Sequence, residues 1–274
     1  MRYTTNDLAK ILDVSTNTIR RLEDKGYMSA ERDAQNDYRK FKNSDVEKLM
    51  YVGKYRKVGF GHEEITNLLQ GDIYSVLTQL SRKKEEIDRQ IAHYQALSHM
   101  LKDDILLIEN MKRYGFDFIE RNCSPMHYVL YMKKGEICLE GENEQALRRF
   151  MLTCPEFEYM YLFRKEDVEA GRCVYSEGVA ANQLWTRKYG VDVAPPVESY
   201  ESRPCVLRFM RVPLDIMECG SSELQEFLFG GLQEYMHKQG YILAGDAVGI
   251  KIGFSREENR EWQYVLMHFP VEKA

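Results

Sequence analysis

The stretch DVSTNTIRRLEDKGY, Asp13 to Tyr27, decides how the N-terminal part of this chain folds. Asp13 and Val14 read as a turn, and Ser15 stands where an N-cap would, its side-chain oxygen ready to accept from a free N–H of the first helical turn. Ile19 and Leu22 share one helical face, while Thr16, Asn17, Arg20 and Arg21 lie on the other. Asp24-Lys25-Gly26 ends the segment, because Gly26 can take a positive φ just past a helix. Upstream, Thr4-x-x-Asp7 has the form of a capping box, and Leu8, Ala9 and Leu12 follow at one-face spacing. Two short helices about a tight turn, the second exposing small polar residues and arginines, make a helix-turn-helix.

Downstream, residues 27–42 are polar and carry no helical stripe, as an extended wing would. Ser44-x-x-Glu47 reads as a capping box opening a helix through Val46, Leu49, Met50 and Val52 that stops near Gly59. A further short helix from about His62 to Leu69 ends at Gly71.

From residue 77 to 108 the pattern changes. Alternate steps of three and four pick out Leu77, Leu80, Lys84, Ile87, Ile91, Tyr94, Ser98, Leu101, Ile105 and Ile108, eight of ten apolar, uninterrupted by Gly or Pro. This is a heptad seam with charged flanks, as in a coiled-coil dimer. A single long helix buried in a globule is the alternative, and the polar remaining faces argue against it. Lys84 and Ser98 would help fix the register.

Beyond Gly115 the period becomes two. Strand-like runs occupy 126–133, 158–164, 172–179, 204–212, 246–254 and 262–271, with helical patterns at about 143–153 and 222–239. The order β-α-β-β, then β-α-β-β, predicts two copies of one α+β unit joined by an insert, Asn182–Tyr200.

Composition bounds the function. The chain has 274 residues and 44% hydrophobic content, enough for more than one packed domain. Residues 1–60 carry 13 Lys+Arg against 9 Asp+Glu, a balance of +4, so residues 61–274 carry the remaining −9 of the overall −5. A mildly basic head on an acidic body permits DNA binding without requiring it. No secretory leader and no spanning apolar run are present, so a cytoplasmic protein with no membrane association is expected. The cysteines Cys123, Cys138, Cys154, Cys173, Cys205 and Cys219 form no CxxC pair, and reduced, partly buried thiols are expected rather than disulfides or a metal site. No GxSxG, HExxH, Walker or Rossmann pattern occurs.

The run YTTNDLAKILDVSTNTIRRLEDKGYMSAERDAQNDYRKF, followed by VGFGHEEITNLL, resembles the MerR family of transcription regulators over about the first 70 residues. It has the T-x-R recognition segment, the Gly-aromatic break, and the wing ending Tyr38-Arg39-Lys40-Phe41. The resemblance implies a winged helix-turn-helix over 1–72, an antiparallel coiled-coil dimerisation helix over 73–114 and an effector-binding body over 120–274, an α+β multidomain chain. It further implies that Arg20, Tyr38 and Arg39 touch the DNA backbone, with Thr16, Asn17, Arg21 and Lys40 beside them. The family often has an aromatic where Arg21 stands, and that substitution would alter a backbone contact or leave a solvated arginine. Leu80, Ile87, Ile91, Tyr94, Leu101, Ile105 and Ile108 would form the dimer seam.

The duplicated body looks like a GyrI-like effector-binding domain, as in BmrR-type multidrug regulators, and WQYVLMHFPVEK resembles that domain's closing strand. A delocalised cation is held by aromatic faces and a buried carboxylate. Tyr159, Tyr161 and Phe163 alternate on one strand face, and Glu177 follows Tyr175 at i+2. Trp185, Tyr131 and Tyr264 complete the candidate set, with Tyr128, Phe209 and Phe254 as further choices, although an aromatic in such a core more often packs than binds. The strand AVGIKIGF offers no carboxylate. The expected function is a homodimeric activator needing no cofactor. It would bind pseudo-palindromic double-stranded promoter DNA and distort the spacer for RNA polymerase when a lipophilic, cationic aromatic ligand binds. The alternatives are a ligand-sequestering protein or a hydrolase of hydrophobic small molecules.

Overall fold

A computed structural model describes residues 2–33, 37–257 and 259–274. Residues 34–36 of the expected wing lie outside the described residues. Packing divides the chain into two compact units, one ending at Ile91 and the other starting at Ala92.

The first unit begins with strand β1 (Arg2–Thr4) and helix α1 (Thr5–Leu12). The capping box is formed: Asp7 N–H donates to Thr4 Oγ1 at 3.2 Å and Thr4 N–H donates to Asp7 Oδ2 at 2.8 Å. Asp13 turns the chain in the left-handed region at φ 51°, and Ser15 caps α2 (Thr16–Asp24), accepting from Thr18 N–H at 3.1 Å. Gly26 follows at φ 77°, a conformation that spares only glycine a steric cost. Strands β2 (Glu31–Arg32) and β3 (Arg39–Lys42) complete a three-stranded sheet in the order β1-β3-β2.

Helix α3 spans Asn43–Lys57, and here the expected cap is corrected. The N-cap is Lys42, the last residue of β3, whose N–H donates to Asp45 at 2.8 Å. Glu47 instead accepts from the Asn43 side chain at 2.8 Å. The preceding strand already delivers Lys42 in an extended conformation, so the helix starts as soon as an acidic N3 residue is available. Helix α4 (His62–Gln70) closes the unit over a core of Leu8, Ile19, Phe41, Leu49 and Ile65.

Helix α5 runs from Ile73 to Tyr114, longer at both ends than the seam that predicts it. Ala96 is its buried residue, whereas Leu80, Ile91, Tyr94, Leu101, Ile105 and Ile108 are exposed in the single chain and Ile87 is half-buried. Among the described residues no helix is long and apolar enough to cross a membrane.

The second unit is built on a ten-stranded sheet. Its elements are β4 (Phe118–Asn122), β5 (Met126–Lys133), β6 (Glu136–Ile137), α6 (Gly141–Thr153), β7 (Glu158–Phe163), α7 (Lys165–Glu169), β8 (Tyr175–Asn182), α8 (Gln183–Lys188), β9 (Glu198–Tyr200) and β10 (Pro204–Pro213). A 3-10 turn (Leu214–Ile216), α9 (Ser222–Phe229), α10 (Leu232–Gln239), β11 (Tyr241–Leu243), β12 (Ala247–Glu257) and β13 (Arg260–Lys273) follow. The main path is β4-β10-β13-β12-β7-β8-β5-β6. Each βαββ copy therefore lies as first-third-second strand, and the two copies meet through their second strands, β7 and β12, with Tyr161 opposite Gly249. A duplication about a pseudo-two-fold axis has this order.

Two of the departures from the expected boundaries follow from glycines. The strand placed at 172–179 starts at Tyr175, after a turn at Gly171 with φ 67°. The helix placed at 222–239 breaks at Gly230-Gly231 into α9 and α10, Gly231 sitting at φ 75°. Both faces of the sheet are covered. Tyr161, Phe163, Val265, Met267 and Phe269 pack with Leu224 and Leu228 of α9, and Val129 and Val179 pack with Ala146 and Phe150 of α6. On the opposite face Met160, Leu162, Val248, Leu207 and Leu266 pack with Leu107 and Met111 of α5.

Candidate functional site

Helix α2 is anchored by Ile19, which is fully buried, so its opposite side is solvent-facing. Thr16, Asn17, Arg20 and Arg21 are all exposed there. Arg21 lines a groove of about 780 Å³ with Lys54, Arg56 and Lys57 of the α3 region, over a floor that includes Leu22, Leu49 and Val52. Arg20 is not part of that lining. The two adjacent arginines thus face different surroundings.

The wing supplies Tyr38, Arg39 and Lys40. Tyr38 is two-thirds exposed, and its carbonyl accepts from Asp33 N–H at 3.0 Å. Arg39 donates Nε to Glu23 of α2 at 2.9 Å, and the second oxygen of Glu23 accepts from Ala30 N–H at 3.3 Å. The pairing fixes the wing strand against α2 and leaves the terminal nitrogens of Arg39 to meet an anion. These side chains form a small polar, cationic surface on a rigid three-stranded and helical base. Such a surface can contact phosphate and base edges.

In the second unit, the expected aromatic residues separate into groups. Tyr131, Tyr161, Tyr175 and Glu177 come together on the sheet face that α9 covers. Tyr131 donates its hydroxyl to Glu177 Oε2 at 2.7 Å, and Tyr161 donates to Gln263 Oε1 at 2.7 Å. Lys251 of β12 makes an ion pair with Glu177 and lies 4.1 Å from the Tyr161 ring centroid. Burial, then the bond to Glu177, raises the Tyr131 hydroxyl above the ordinary tyrosine range. The cluster is thus a carboxylate, an ammonium and a phenol within one part-buried network. Phe163 packs against Tyr175 and Phe229 at 5.7 and 5.4 Å between centroids, and Phe163, Tyr161 and Tyr175 are core side chains.

The remaining candidates lie elsewhere. Tyr264 is one residue out of phase with Gln263 and so points to the opposite sheet face, its hydroxyl donating to Glu257 at 2.9 Å. Tyr159 is half-exposed and meets Phe157 edge-on at 5.6 Å. Trp185 sits on α8, with His99 and Tyr189 as ring neighbours at 5.9 and 6.3 Å and Lys188 4.5 Å above it. Tyr128 donates to Glu198 at 2.8 Å.

Several groups escaped the sequence reading. Lys251 is the charged residue in AVGIKIGF, and its place on a buried strand was the available signal. Glu158 faces Asp103 and Asp104 of α5. Burial first, then Asp104 and Asp103, pushes its carboxyl up to about 7. His268 and Cys123 occupy one cavity on the face that packs against α5, and nothing in their spacing marks them.

Residues 3–72 match the family described as MerR HTH family regulatory protein, and this segment of the chain is a MerR-type helix-turn-helix domain. The Multidrug-efflux transporter 2 regulator of Bacillus subtilis (strain 168) is 25% identical over 189 residues, 68% of this chain. The chain spans only 63% of that relative's length. A cryo-EM structure of an EcmrR-DNA complex in EcmrR-RPo aligns over 99% of this chain and 100% of its own, at 16% identity and a TM-score of 0.37. A hydrolase from Listeria innocua aligns over 60% of this chain and 97% of its own, at 12% identity and a TM-score of 0.36.

Proposed function

We propose that the chain is a ligand-responsive transcription regulator whose MerR-type head binds double-stranded promoter DNA. The observation that carries this reading is the exposed face of α2, with Arg20, Thr16 and Asn17, beside a wing whose Arg39 is braced by Glu23. Phosphate contacts from Arg20, Arg39 and Lys40 would position the head, and Thr16 and Asn17 would meet base edges.

The apolar stripe of α5 supports a homodimer. Exposed leucines and isoleucines at heptad spacing over this length are stabilised when a second copy covers them. Two heads on one dimer would take two half-sites of a pseudo-palindrome. DNA distortion that lets RNA polymerase engage the promoter is then deformation energy biased by a ligand in the body.

For the ligand, the Glu177 network is the favoured site. Its carboxylate already holds a cation, the tethered Lys251. A lipophilic aromatic cation would bind by taking the place of that ammonium against Glu177, Tyr131 and the Tyr161 ring. Transcription by purified polymerase from a template carrying the chain's own upstream region, with and without a panel of lipophilic cations, tests the reading. A ligand-dependent rise in transcript is expected; no effect of the protein on any transcript, with or without ligand, would overturn it.

A further inference from the structure

A cavity of about 750 Å³ borders the sheet face that packs against α5. Leu107 of α5, Ile119, Leu207, Phe209 and Leu266 form its apolar wall, and Cys123 and His268 reach the same lining. The volume falls within the range that small molecules occupy. His268 is 7% exposed, and among the described residues neither of its ring nitrogens has a hydrogen-bond partner. A buried polar side chain left without a partner carries a free-energy cost, which a partner entering from the cavity would relieve.

Cys123 is its neighbour in that lining. The Cys123 thiol has the carbonyl oxygens of Glu201 and Arg203 at 3.6 and 3.5 Å as acceptors for its proton. Cys123 N–H donates to Arg203 O at 3.0 Å, which sets Cys205 diagonally across the strand pair on the same face. Cys205, then His268, lowers the Cys123 thiol from its ordinary range against the opposing cost of burial. A thiol, a buried imidazole and an apolar wall thus line one cavity.

We propose that this cavity takes small apolar α,β-unsaturated carbonyl compounds and that Cys123 is alkylated there, with His268 carrying the proton. The Cys123 Sγ–H proton passes to a ring nitrogen of His268. The sulfur pair then forms the C–S bond at the β-carbon while the C=C π pair moves toward the carbonyl as an enolate. The imidazolium returns its proton to the α-carbon, leaving a thioether and a neutral imidazole. Nothing is oxidised or reduced and no group leaves. Asn110 and Tyr114 of α5 also line the cavity, so an adduct would bear on the long helix. That regulatory consequence rests on the proposed function, whereas the alkylation itself does not.

The test exposes the full chain to 2-cyclohexen-1-one and follows adducts at all the cysteines by peptide mass mapping. Cys123 is expected to react about tenfold or more faster than the partly exposed Cys138 and Cys219. His268→Gln should slow Cys123 by about tenfold or more and leave those two unchanged. Excess cyclohexanone, which has the shape without the reactive double bond, should protect Cys123 alone in the unaltered protein. That arm decides the matter even where the His268 variant fails to fold. Labelling of Cys123 no faster than the buried Cys154 and Cys173, or no protection by cyclohexanone, would overturn the proposal. An adduct on a chain that ignores DNA would keep this site and refute the regulator; DNA binding without an adduct would do the reverse.

Discussion

Arg39 of the wing strand donates its Nε to the Glu23 carboxylate of α2 at 2.9 Å, with both side chains half-buried. The pair ties the wing to the helix that would enter the groove. Glu23→Gln keeps every cation in the head and loosens only this tie. The expected outcome is a salt slope of DNA binding that stays unchanged. Preference for the chain's own upstream region over unrelated duplex should fall about threefold to tenfold, the worth of a part-buried ion pair. Competition binding measures both, and an unaltered preference would show that the tie does not set the wing's position.

Arg20 and Arg21 should part company. Arg20 faces solvent, whereas Arg21 lines the groove beside Lys54, Arg56 and Lys57. Arg20→Ala should lower the log–log salt slope by about 1 per head and weaken binding to all sequences alike. Arg21→Ala should change the slope by less than about half that amount. Equal losses from the two variants would place Arg21 on phosphate as well.

Lys251→Met leaves the Glu177 carboxylate in the sheet with the Tyr131 hydroxyl and without its ammonium. Loss of one partner from such a pair costs roughly 3 kcal/mol in folding stability, with Glu177→Gln in the same chain restoring part of it. The single variant should also gain more in Tm than the unaltered protein when tetraphenylphosphonium is added, because the external cation no longer competes with a tethered one. A smaller shift in the variant than in the parent would contradict cation binding at Glu177.

Glu158 predicts a pH dependence. Its folded carboxyl, at about 7 because of burial and then Asp104 and Asp103, lies above the ordinary 4.5. Between those values the folded chain binds more protons than the unfolded one, so stability falls as pH rises from the unfolded value through the folded one. Above that window the loss is complete. Glu158→Gln should flatten this part of the Tm–pH curve and raise Tm at pH 8, measured by thermal unfolding across the range. An unchanged slope in the variant would assign the dependence to other groups.

How much of this was legible depends on how local the signal is. Thr4, Asp7, Ser15 and Gly26 act within a few residues of themselves, and the head was readable from them. The Ser44 cap was misplaced because Lys42 of the preceding strand was free to serve two residues earlier. Heptad spacing exposed α5, and alternation exposed the two βαββ copies, whose strand order no local pattern contains. The ligand candidates were harder. Strand alternation tells which residues share a face, so Tyr175 with Glu177 was readable. It cannot tell a packed face from an open one when helices cover both sides, which is why Phe163 turned out to be core. Tyr264 was lost by a single step of register. Lys251 is a lone cation in an apolar strand, which no carboxylate pattern marks, and His268 reaches the cavity lined by Cys123 only through long-range pairing of β4, β10 and β13.

The proposal is that a homodimer of this chain would grip duplex DNA through its two cationic heads. Equilibrium binding of the full chain to a duplex from its own upstream region, titrated over salt concentration, tests it most directly. Arg20, Arg39 and Lys40 on each of two heads give an expected log–log slope of about −5, together with tighter binding than to unrelated duplex of equal length. A slope near zero, or equal affinity for both duplexes at every salt concentration, would contradict the account.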